Sequence, residues 1–190
     1  GETVFRLPLK SEATSAVAEI SSGLQLLEPR TMLFLREIDE ISWKTEDGRS
    51  GRYRRSKPEY VSEHGRKVVV ASEDHTTKHV VEETWLVCSR EVTTPDGVRA
   101  GYSEIAFLLD GGEAGEARTV LAIDESPLVV FFPTIVQTNL GFLVQGPYRT
   151  TPSRDNVPFD DEWNKHLVKE TAALLVEALG ELRVLGLLNV

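Results

Sequence analysis

Val80-Val81-Glu82-Glu83-Thr84-Trp85-Leu86-Val87-Cys88-Ser89-Arg90-Glu91-Val92 leads through Thr93-Thr94 into Pro95-Asp96-Gly97, and Val98 to Leu109 follows as a second run. Proline sets the first φ of such a turn and glycine supplies the positive φ, so the two runs read as strands joined by a tight connection. Strands joined by short turns pair antiparallel, because a parallel crossover needs a dozen residues or more.

Working outward, the period of two extends from Glu40 to about Val144. Ile41-Ser42-Trp43-Lys44 enters the hairpin signal Glu46-Asp47-Gly48. Val68 to Ala71, Val120 to Ile123, Leu128 to Phe132 and Leu140 to Gln145 read as further strands, with Asp110-Gly111-Gly112 as a separator. Val4 to Leu9 alternates until Pro8 and reads as a short edge strand.

Helical spacing appears at both ends. Ser11 caps an expected helix whose stripe is Ala13, Val17, Ile20, Leu24 and Leu27, and Pro29 opens a second short one, Arg30 to Leu35. At the other end, Asp160 or Asp161 caps a long helix. Its stripe is Trp163, Leu167, Thr171, Leu174, Ala178, Leu182 and Leu185, widened by Leu175 and Leu179. The expected fold is therefore α+β: a mostly antiparallel or mixed sheet packed against an N-terminal helix pair and a long C-terminal helix. With no repeat and no low-complexity linker, residues 1–190 read as one domain. The opening Gly1-Glu2-Thr3, without an initiator Met, leads us to expect a fragment of a larger protein.

Composition narrows the function. The chain holds 190 residues with a net charge of -9, which opposes general affinity for a phosphate backbone. Cys88 is the only cysteine, so no internal disulfide forms, and a multi-cysteine zinc site is not expected. That usage fits a reducing, cytoplasmic setting. No apolar run is long enough for a membrane helix, and no leader pattern opens the chain.

No complete catalytic set is present: no dinucleotide-binding glycine fingerprint, no phosphate loop, no serine elbow. His64, His75, His79 and His166 are scattered, and the His75/His79 pair reads as surface loop rather than helix. Glu82-Glu83 and Asp160-Asp161 read as structural, and Cys88 as a packed thiol. Arg49, Arg52, Arg54, Arg55, Lys57, Arg66 and Lys67, with Tyr53 and Tyr60 interleaved, read as a solvated hairpin. The alternative is a phosphate or nucleic-acid contact surface.

The segment with most chemical content runs from Thr138 to Pro158. A strand meets Gly146-Pro147, then a loop carries Arg149, Thr150, Thr151, Ser153 and Arg154 between three prolines. Prolines restrict the free loop, and two arginines among hydroxyls suit an anion or phosphate. The competing reading pairs Arg154 with Asp155 or a nearby acid and leaves the prolines to shape the loop.

Phe131-Phe132-Pro133-Thr134, the run from Thr138 to Pro158, Glu162-Trp163-Asn164 and Thr31 to Ile41 resemble a family. It comprises large bacterial proteins with a sacsin-like, heat-shock-protein-90-type ATP-binding domain of the GHKL class. The resemblance implies a middle-type domain directly after the nucleotide-binding one, which lends an arginine to the ATP γ-phosphate when the two close. Ser153-Arg154-Asp155 matches the family's Ser-Arg-Glu context ahead of a helix, with Asp in place of Glu. The implied catalytic residue is thus Arg154, with Arg149, Thr151 and Ser153 in support and Arg149 a rival for the same contact. ATP with Mg would be held mainly by the neighbouring domain, because the acid and asparagine helix and the glycine-rich lid are absent here. The implied partners are that ATP-binding domain, a protein client and a second copy of the parent. The alternative is a protein or nucleic-acid interaction module with no catalytic contribution.

Overall fold

The computed structural model describes residues 14–25, 28–46, 48–111 and 119–188. The expected edge strand at Val4 to Leu9 lies outside them, as do Ser11, Ala13 and Leu27 of the first helix and Asp47 of the first hairpin turn.

The two runs quoted above become β5 (His79–Thr93) and β6 (Arg99–Leu109), the long antiparallel centre of the sheet. Before them come β1 (Glu40–Lys44), β2 (Ser50–Arg55), β3 (Glu59–Tyr60) and β4 (Gly65–Asp74). After them come β7 (Val120–Leu121), β8 (Pro127–Val130), β9 (Phe132–Gln137) and β10 (Leu143–Gln145). The main path runs β1-β2-β4-β5-β6-β10-β8-β9, with β3 beside β4 and β7 beside β6. The pair β10–β8 is parallel and the other strand pairs among the described residues are antiparallel, so the sheet is mixed.

Alternation along the central strands sends side chains to two faces. Trp85, Val87, Ala106, Val68 and Val70 face one side and pack with Met32, Leu33 and Phe34. Leu86, Cys88, Ile105 and Phe107 face the other and pack under Leu174, Ala178 and Leu182 of α2 (Glu162–Val184). Each leucine buried there contributes roughly 1.5–3 kcal/mol, so this one helix face secures the sheet.

The C-terminal helix follows its expected stripe except at Leu179, which is exposed. Asp161 is the cap, accepting from the N–H groups of Trp163 and Asn164. At the N-terminal side, α1 spans Thr14–Gln25, but the second expected helix, Pro29–Phe34, is 3-10 rather than α. Within α1 the expected stripe also shifts. Ile20 is half-exposed while Ser21 is buried, and Leu24 packs against the core.

Expected strand Leu128 to Phe132 is broken by Phe131, which takes a left-handed φ of 63° and turns the chain from β8 into β9. The added strand β9 holds Pro133 opposite Val129. Val129 carbonyl accepts from Gly146 N–H on the β10 side, so its partner Pro133 faces the outer edge, where a missing N–H breaks no ladder bond.

Candidate functional site

Residues 146–158 leave β10, cross the end of the sheet and enter α2. Both shoulders of this loop hang on one buried side chain, Asn164 in the first turn of α2. Its Oδ1 accepts Arg149 N–H at 2.9 Å. Its Nδ2 donates to Arg149 carbonyl at 3.0 Å and Pro158 carbonyl at 2.9 Å. Trp163 Nε1 adds a bond to Pro147 carbonyl at 2.9 Å. Alanine at Asn164 would strip three backbone groups of their partner, and a buried unmet group costs about 1–3 kcal/mol. We expect Asn164→Ala to lose roughly 2–4 kcal/mol in a denaturant titration, with proteolysis appearing first within 149–158. Nothing in the sequence reading gave Asn164 this task, although an amide on an apolar helix stripe is the kind of residue that needs internal partners.

The four nominated residues separate into two groups. Thr151, Ser153 and Arg154 share one turn. Thr151 Oγ1 donates to Asp155 Oδ1 at 2.6 Å, Arg154 N–H bonds to Thr151 carbonyl, and Thr151 N–H to Asn156 carbonyl. Bonds from Thr151 first, then Ser153, hold the Asp155 carboxyl below its usual range.

Arg154 does not pair with Asp155. Its guanidinium donates to Val130 carbonyl at 2.7 Å and Phe132 carbonyl at 3.0 Å, the two carbonyls that flank the Phe131 turn. Arg154 itself sits at φ 60°. A left-handed non-glycine residue costs about 1–2 kcal/mol, and the two charge-assisted bonds offset that cost.

Arg149 is separate. Its side chain is 68% exposed and touches Asp161 at 3.2 Å. The N–H of Asn164, then the Arg149 guanidinium and the N–H of Trp163, hold the Asp161 carboxyl below its usual range. The sign follows: a carboxyl depressed on folding stabilises the fold above its unfolded pKa, and that contribution disappears as pH falls through the folded value. Asp161→Asn keeps a capping side chain but cannot titrate. Its stability should therefore decline less steeply than wild type as pH drops below about 4, measured by urea unfolding at stepped pH. Asp155, Glu73 and Asp74 shift in the same direction, so the readout is the difference between the two proteins.

The basic cluster is largely neutralised. Arg52 and Arg54 both meet Glu73, Arg55 meets Asp39, and Arg66 is buried against Glu104. His75 and His79 are exposed, and among the described residues no group of acids, histidines and cysteine is arranged to hold a metal ion. Cys88 is buried. Its thiol is pushed up to about 12, by burial first and then by Glu181, so it stays protonated and inert.

Fold and loop together define a mixed α/β chain in which a stiffened arginine loop bridges the end of a large mixed sheet and a C-terminal helix. No protein-family model and no solved structure matches it. Protein NO VEIN of Arabidopsis thaliana is 33% identical to it over 99 residues, which is 50% of this chain and 4% of that protein. The chain thus spans a small part of the relative's length. Among the described residues no helix is long and apolar enough to cross a membrane.

Proposed function

We propose that this chain is a coupling domain that presents an arginine to the phosphates of ATP held by a neighbouring GHKL-type domain, and that Arg149 makes that contact. The observation that carries the choice is the difference in what the two arginines would have to give up. Arg154 would abandon two backbone carbonyls, each such charged bond being worth roughly 1.5–3 kcal/mol, and release the turn they hold. Arg149 would leave only an exposed pairing with Asp161, which water replaces readily. Its backbone is held at both N–H and carbonyl by Asn164, so an exposed side chain projects from a fixed mount.

In this reading Arg154, Thr151 and Ser153 keep the loop in shape and Arg149 neutralises charge developing on the phosphates. The Mg that accompanies ATP would offset phosphate charge from the neighbouring domain, since the described residues here offer no ligand set for it. The 33% identity to one stretch of a much longer relative agrees with a domain that works inside a larger polypeptide. The second reading, an interaction module, draws on the two carbonyl bonds of Arg154, which give the loop a purely structural task. ATP turnover by the longer polypeptide, wild type against Arg149→Ala, separates the two. Turnover unchanged in the variant overturns the arginine contact.

A further inference from the structure

A second feature lies beside the loop. Between α2 and strands β8–β10 runs an open groove of about 720 Å³. On the sheet side its walls are Leu128, Val136, Leu140, Phe142 and Val144, and on the helix side Val168, Ala172 and Leu175. Phe159 stands 89% exposed at one end. That volume is the size of a small-ligand site rather than a packing defect.

The polar groups in the groove are already engaged. Tyr148 Oη and Thr171 Oγ1 bond each other at 3.0 Å, and Thr171 also meets Ser103 Oγ at 2.9 Å. Asn164 is saturated by the loop backbone. An extended peptide would therefore bring main-chain groups into a trench that cannot satisfy them. What remains free is cationic: Lys165 is taken by Glu162 at 2.7 Å, but Lys169 makes no ion pair among the described residues. Lys165 and Lys169 are the charged residues lining this apolar groove. With Lys165 neutralised by Glu162, the unpaired Lys169 ammonium at the lip favours a negative head on an apolar body, against the overall charge of -9.

We propose that this groove binds a single long-chain carboxylate, with its alkyl chain along Val168, Ala172 and Leu175 and its carboxylate at Lys169. The test is calorimetric titration of the 190-residue chain with dodecanoate, dodecanol and dodecyltrimethylammonium, each below its micellar concentration. Dodecanoate should bind one per chain and roughly tenfold more tightly than the trimethylammonium compound. Lys169→Glu should weaken dodecanoate by roughly tenfold and remove the preference. Ala172→Trp, at an exposed position that fills the trench, should abolish binding while the circular dichroism spectrum stays that of wild type. Equal binding of the three head groups, no binding of dodecanoate, or undiminished binding by Ala172→Trp would overturn the proposal. So would sedimentation with anionic phospholipid vesicles but no uptake of free dodecanoate, which would mark a membrane-facing surface instead.

Discussion

Glu104→Gln should lower the unfolding free energy by about 3–5 kcal/mol, a large share of the 5–15 kcal/mol typical of a folded domain. Glu104 is 1% exposed in the centre of β6. Its Oε1 accepts from Arg66 and Arg36, each at 2.6 Å, and from Ser89 Oγ at 2.9 Å. With its amide turned to donate, Gln145 reaches Oε2 at 3.0 Å. The group crosses four adjacent strands, since Arg66, Ser89, Glu104 and Gln145 sit on β4, β5, β6 and β10. Arg66 is nearly as buried as the carboxylate, so a neutral amide at position 104 leaves a guanidinium without a counter-charge in the interior. Arg36 suffers less, because it is a third exposed and stacks on Tyr102 with its guanidinium carbon 3.6 Å from the ring centroid.

The double variant Glu104→Leu/Arg66→Met should recover most of the loss, because removing both charges also removes the cost of burying them. Guanidinium unfolding with a constant m-value measures each step. A loss under about 1 kcal/mol for Glu104→Gln would mean that the arginines find other partners.

The second large effect concerns the loop. Where an arginine fully stabilises phosphoryl-transfer charge, its removal lowers turnover by about 10³-fold or more. Arg149→Ala in the longer polypeptide should do this with nucleotide affinity retained, and Arg149→Lys should recover only part, because an ammonium lacks the planar fork. Arg154→Ala should lower stability first, since the Phe131 turn loses both of its side-chain bonds, and should lower turnover only as far as the loop loosens. Collapse of turnover in a well-folded Arg154→Ala protein, with Arg149→Ala silent, would reverse the two roles. If neither variant changes turnover, the loop is scaffolding and the interaction-module reading stands.

The sheet centre and the last helix were legible because local signals there agree with tertiary need. The Pro95-Asp96-Gly97 turn can only reverse the chain, and the stripe from Leu167 to Leu182 is periodic enough to choose its own buried face. The strand β9 escaped notice because Pro133 reads as a strand breaker until its place at the sheet edge is known. The second N-terminal helix is 3-10 because Pro29–Phe34 is only six residues long, a length at which α-helical bonding hardly propagates. Burial of Thr31, Met32, Leu33 and Phe34 rather than helix propensity holds it in place.

For the site, the sequence by itself determined where a stiff, arginine-bearing loop must lie, since prolines and glycine limit backbone angles whatever surrounds them. It also determined that Cys88 is packed and that the chain is acidic. Only the tertiary structure decided what each side chain is attached to: Arg154 to the carbonyls of a distant turn, Arg66 to Glu104, Asn164 to the Arg149 backbone at the far shoulder of the loop. The reason is range. Turn chemistry and helix periodicity act over a few residues and are written locally, whereas these partners lie 15 to 38 residues apart and meet only when the sheet has assembled.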